Sequence, residues 1–184
     1  MSVAYEIVGS NDYIAAMTGG VFSLNSIVRT LTGTNKLQKS PSSIMAYYII
    51  NELAKMTDPS DGDTWPLYDS FLPDGPQVET DCGAIYDTSG IADERYMSGP
   101  TIPHEGIQIR IRSREKNTGY VKIENIASAL DAVTLDSFVI GALEYELQNV
   151  SRSSPIASLG VEPGTKRRYH YTVNYLLTIR ELTN

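Results

Sequence analysis

Arg110, Arg112 and Arg114 recur at every second position of the stretch GIQIRIRSRE, and Lys166, Arg167 and Arg168 follow one another further along. Cations so placed are suited to pairing with anions, since a planar guanidinium donates two parallel hydrogen bonds to a carboxylate or a phosphate. The chain as a whole is acidic, with 15 Lys and Arg against 22 Asp and Glu and a formal charge of -7. No net field therefore draws it to nucleic acid or to an anionic membrane, and any anion these residues meet must be met locally.

Residues for covalent or metal chemistry are sparse. Cys82 is the only cysteine, which rules out an internal disulfide, and His104 and His170 are the only histidines. A thiolate and imidazole pair would need one of those two beside Cys82. GVEPGTKRR carries glycines and a lysine but misses a phosphate-binding loop, because Gly160 and Gly164 are too close and Lys166 is followed by arginine. Asp87-Thr88-Ser89-Gly90 has a serine where an aspartic-protease turn has its glycine, and no second such turn supplies the paired carboxylate. Asp58, Asp61 and Asp63 miss the alternation of a calcium loop. No lysine has an acid two positions before it, as a common metal-nuclease strand would require. The sequence argues against an enzyme and calls for no cofactor and no metal.

The elements that must position these residues follow from periodicity. Ile107, Ile109 and Ile111 alternate with Gln108, Arg110 and Arg112, which puts isoleucines on one face of a strand over 106–114 and arginines on the other. Tyr120, Ile123, Ile126, Ala127, Leu130 and Val133 then recur at helical spacing, predicting a helix over 117–133. Ser40 as cap and Pro41 at the first helical position predict another helix over 41–57, with its apolar face on Met45, Tyr48, Ile49, Leu53 and Met56. Strands are expected over 78–86, 136–150 and 168–181, with long loops over 87–105 and 151–168. Residues 1–39 read as an arm broken by glycines and polar residues, ahead of one domain over 40–184. The expected fold is α+β: a single mixed or mainly antiparallel sheet of about four strands, with two helices packed on one face. Its arginine face is left to water or a partner. Outward strand faces are normally polar and solvated, so function requires a further argument. Arginine interleaved with tyrosine suits single-stranded nucleic acid, whereas arginine against acid suits a neighbouring subunit.

No signal peptide opens the sequence and no apolar run reaches transmembrane length, so neither export by that route nor a membrane is expected.

Over Ser40 to Leu182 the sequence resembles a known family. GIQIRIRS leads into GYVKIENIASALDAV, and a loop of the pattern V-x-R-x-S-P-x-x-x-L-G (Val150, Arg152, Ser154, Pro155, Leu159, Gly160) leads into R-R-Y-x-Y-T-V-N from Arg167 and Arg168. In this order and spacing the segments are similar to the minor capsid and tail terminator proteins of long-tailed bacteriophages. The resemblance implies an α/β subunit without catalytic residues that forms a six-membered ring on the last ring of the tail tube, stops polymerisation and faces the head-side connector. Its implied partners are further copies of itself, the major tail tube protein and the connector or stopper protein, with genomic DNA passing through unbound. The implied location is the virion neck, after assembly in the host cytoplasm. A head-completion or stopper protein is the neighbouring alternative, and a single-strand nucleic-acid-binding module is the alternative of a different class. On the ring reading, Arg110, Arg112, Arg114, Arg152, Lys166, Arg167 and Arg168 are expected at the contact, facing acids such as Asp58 to Asp63 or Asp93 and Glu94.

Overall fold

The computed structural model describes residues 36–74, 81–92, 103–162 and 167–182. The arm expected over residues 1–39 lies, up to residue 35, outside the described residues.

Helix α1 (Pro41–Tyr47) starts as its sequence dictates: Ser40 is extended, its Oγ accepts from the Ser43 N–H at 3.3 Å, and Pro41 fills the first turn. The helix then widens into a π-helical turn, Tyr48–Glu52, in which the Leu53 N–H reaches back to the Tyr48 carbonyl. Ala54, with φ +50°, follows, so helical structure stops short of residue 57. Met45, Tyr48 and Ile49 are buried as their spacing requires, while Met56 reaches the core from a loop. Helix α2 (Lys116–Asp131) buries Ile123, Ile126, Ala127 and Leu130. Tyr120, expected on the same stripe, stays about half exposed and packs edge-on against Tyr171.

The strands are β1 (Leu67–Asp69), β2 (Cys82–Ala92), β3 (Pro103–Ser113), β4 (Asp136–Ile140), β5 (Leu143–Arg152), β6 (Ala157–Val161) and β7 (Tyr169–Leu182). They form one seven-stranded sheet in the order β1-β2-β3-β7-β5-β4, with β6 paired to the free part of β7, and the sheet curls into a half-barrel. Only the β1 and β2 pairing is parallel.

This corrects the expectation of about four strands with two helices on one face, and the reasons are local. Gly141, at φ +67°, turns the chain between Ile140 and Leu143, so the expected strand 136–150 is a hairpin of β4 and β5. Strands β2 and β3 run on into the expected loop 87–105, pairing as far as Ala92 and Pro103. Strand β6 occupies the expected loop 151–168, and short β1 lies in a segment read as irregular. The first part of the strand expected over 78–86 lies outside the described residues up to position 80.

The core lies where the isoleucine face of β3 meets the helices. Ile107, Ile109 and Ile111 sit opposite Tyr175, Val173 and Tyr171 of β7, and all six are 2% exposed or less. Burying one such isoleucine stabilises the fold by roughly 1.5–3 kcal/mol. Two tyrosines of β7 then fasten α2 at both ends. The Tyr171 hydroxyl donates to the Lys116 carbonyl at 2.8 Å, and the Tyr175 hydroxyl, with one proton to give, lies 3.2 Å from the Ala127 carbonyl and 3.1 Å from Asp131 Oδ1. Burial, followed by the charge of Asp131, pushes the Tyr175 phenol above its ordinary value. Gly119 permits the close approach of helix and sheet, because a Cβ there would stand 2.8 Å from Ser113 Cβ and 3.0 Å from the Tyr171 ring.

Candidate functional site

The face of the sheet opposite the isoleucines is built in rows by strand register. Arg112 stands between Cys82 of β2 and His170 of β7, and Arg110 between Ala84 and Thr172. Directly paired residues project to the same side, so β3 places both guanidiniums among small or polar neighbours. Cys82 and Ala84 are small, which leaves room for long arginine stems. Because β3 lies between β2 and β7, Cys82 and His170 are two strand spacings apart, roughly 10 Å. His104 lies eight positions along β3 from Arg112, the residue paired with Cys82, so neither histidine stands beside the thiol to form a thiolate and imidazole pair. Burial pushes the Cys82 thiol up, which further disfavours a nucleophile.

Hydrogen bonds and ion pairs fix this face. The Arg110 guanidinium lies 5.2 Å above the Tyr86 ring and donates to Gln108 Oε1 at 3.1 Å. Gln108 Nε2 donates in turn to Asn174 Oδ1 at 3.0 Å. Arg168, 5% exposed, donates to Asp74 Oδ1 at 2.8 Å, and its Nε lies 2.7 Å from Glu162 Oε2 in an ion contact too poorly aligned to be a hydrogen bond. The same Glu162 oxygen is 3.8 Å from His170 Nε2. Burial lowers the affinity of His170 for its proton; Glu162 opposes this, and Arg112 and Arg110 add to it.

The residues expected at a contact are therefore in three situations. Arg112, 2% exposed, and Arg168 are enclosed by their own chain, and Arg152 turns to the core side to pair through Nε and Nη2 with Asp131 at the end of α2. Arg110 is half-buried, while Arg114 and Arg167 are exposed. The Arg114 backbone N–H donates to Asp81 Oδ1 at 2.8 Å. Lys166, Asp93 and Glu94 lie outside the described residues. The expected arginine face is real as a set of residues on one side of β3, but it is not simply open to water.

Sequence reasoning missed the acids that hold these arginines, Asp74, Glu162 and Asp131, because they come from three separate segments that only the fold brings together. It also missed β6, although Ala157, Leu159 and Val161 alternate with Ser158 and Gly160 and so carry the period of a strand. Every residue of β6 is exposed, as are Asp87–Ala92 of β2. What the arrangement does is hold charges in fixed places behind the sheet and present, among the described residues, unpaired strand edges beside it.

Among the described residues no group of three or more His, Cys, Asp or Glu stands ready to hold a metal ion, and no helix is long and apolar enough to cross a membrane. Residues 49–180, from within the π-helical turn to Arg180 of β7, match the family model of the bacteriophage tail terminator protein. None of the curated proteins matches the chain.

Proposed function

Since this chain belongs to the bacteriophage tail terminator family, we propose that it assembles as a ring on the end of the tail tube, stops tube growth and joins the tail to the head-side connector. Membership itself gives the coarser statement, that the protein has a structural role in a phage tail and a virion-related location. The observation that carries the finer reading is the span of the match, which takes in all seven strands apart from the last residues of β7.

A ring needs a heterologous contact, one surface of each subunit meeting a different surface of the next. Of the basic residues considered for it, Arg112, Arg152 and Arg168 are engaged within the chain. Arg114 and Arg167 are exposed and Arg110 is half-buried, and these are the ones placed to meet acids on a neighbour, such as the exposed loop Asp58 to Asp63. Lys166, Asp93 and Glu94 belong to the same proposed contact. Its partners are further copies of the chain, in a hexamer, then the tube protein and the connector. Six copies at -7 each carry -42, and a channel lined by part of that charge repels passing DNA and lets it slide.

The test is tail length by electron microscopy in particles made with and without the protein. Overlong, headless tails in its absence are expected. Normal-length tails that fail to join heads would instead identify a head-side stopper, and normal virions would remove the protein from the neck.

A further inference from the structure

Two stretches of the sheet are distinguished by the charge they lack. Strand edges that face water carry unpaired N–H and C=O groups, and soluble proteins blunt them with charged side chains, proline or extreme shortness. Strand β6, Ala-Ser-Leu-Gly-Val, has no charged residue and no proline, all five of its residues are exposed, and Leu159 and Val161 are 53% and 47% exposed. The outer half of β2, Thr88 to Ala92, is likewise uncharged and exposed, with Ile91 at 59%. Strand β1 covers β2 only as far as Ile85, and β6 pairs only with β7, so among the described residues nothing pairs with either outer edge. The β4 edge differs: β4 begins with Asp136, which is held by the Tyr48 hydroxyl at 2.6 Å.

We propose that the outer edge of β6 in one copy of the chain pairs with the outer half of β2 in a second copy, continuing the sheet from subunit to subunit. This rests on the reading that copies of the chain associate, and it adds a backbone contact to the charged one proposed for them. The occupant follows from the two edges themselves. An uncharged five-residue edge needs an uncharged strand of similar length, and this chain carries one on the other side of the same sheet. Copies that each carry -7 repel one another, so contact costs least where both surfaces are neutral. Each strand has a bulge, between Thr88 and Ile91 and between Ser158 and Gly160. The bulges limit how many backbone hydrogen bonds can form, which leaves Ile91, Leu159 and Val161 to contribute apolar burial. Because two different edges meet, the contact is heterologous and repeats from copy to copy.

The experiment uses the purified full chain with Ile91→Cys and Leu159→Cys together, treated with a short bis-maleimide. Both positions are exposed, and the native Cys82 is fully buried and unreactive by comparison. A ladder of linked dimers and larger species is expected from the double variant, with each single variant remaining unlinked. A double variant that stays unlinked at its highest soluble concentration overturns the pairing, as does equal linking by a single variant. Leu159→Lys with Val161→Lys provides the second measurement: sedimentation is expected to move at least tenfold toward monomer, and unchanged association would again overturn it. Overlong tails without any linking would leave the ring reading standing and remove the edge pairing. Linking with no effect on tail length would do the reverse.

Discussion

The arginine face of the sheet and its open edges invert the usual relation between residue type and exposure. Arg112 is 2% exposed and Arg168 5%, while Leu159 of β6 is 53% exposed and Ile91 of β2 is 59%. In the first region charge is enclosed and balanced by acids drawn from distant segments, Asp74 and Glu162 on Arg168. In the second, small and apolar residues line outer strand edges with which, among the described residues, no further strand pairs. A buried ion pair is weak evidence for stability but strong evidence that removing one partner will be costly. A bare neutral edge contributes little to folding and much to association. On the proposed edge pairing, copies of the chain meet at the neutral edges and not at the enclosed arginines that first attract notice.

The comparison breaks most visibly at Arg112. Arg112→Glu puts an acid where the fold encloses a cation, and a loss of about 3–5 kcal/mol is expected in chemical denaturation. A loss below about 1 kcal/mol would return Arg112 to the solvated class. Glu162→Gln comes next, with about 1–2 kcal/mol lost as Arg168 keeps only Asp74. His170 then sharpens the account through pH. Its folded affinity for a proton is below the ordinary value of about 6.5, so the unfolded chain binds more protons just beneath that pH. The His170 contribution is fully present above about pH 6.5 and is lost as pH falls from there toward the folded value. Glu162 holds the folded value up, so Glu162→Gln should make the loss larger and extend it to lower pH. Stability against pH for the two chains, measured with His170→Gln as the control in which the difference disappears, checks this. The smallest effect on stability belongs to the edge, where Leu159→Lys should change unfolding by no more than about 0.5 kcal/mol.

Much of this was legible in the residues, and the failures have physical causes. The period-2 run of β3, the serine and proline opening α1 and the middle of the α2 stripe, Ile123 to Leu130, appear as predicted, because each is a local signal that tertiary packing reinforces. Strand number was not legible where a turn needed only Gly141 and one neighbour, since the apolar pattern of 136–150 runs through it almost unbroken. Strand β6 was hidden by the serine, proline and glycine around it. What lies over the arginine face was not legible for a more general reason. Alternation tells which residues share a side of a strand but not what lies over that side, and the acids that lie there are remote in sequence. Arg152 shows the same limit. The bulge between Leu147 and Asn149 shifts the register of β5 and puts Arg152 opposite Tyr175, beside Asp131 on the core side.

Strand β7, at 14 residues the longest among the described residues, is hydrogen-bonded to β3 along one side and to β5 and β6 in succession along the other. A tensile load directed along β7 would have to shear those ladders together, whereas a load across β6 would peel a single short ladder one bond at a time. The subunit is thus mechanically anisotropic, stiff along one axis and compliant at one margin.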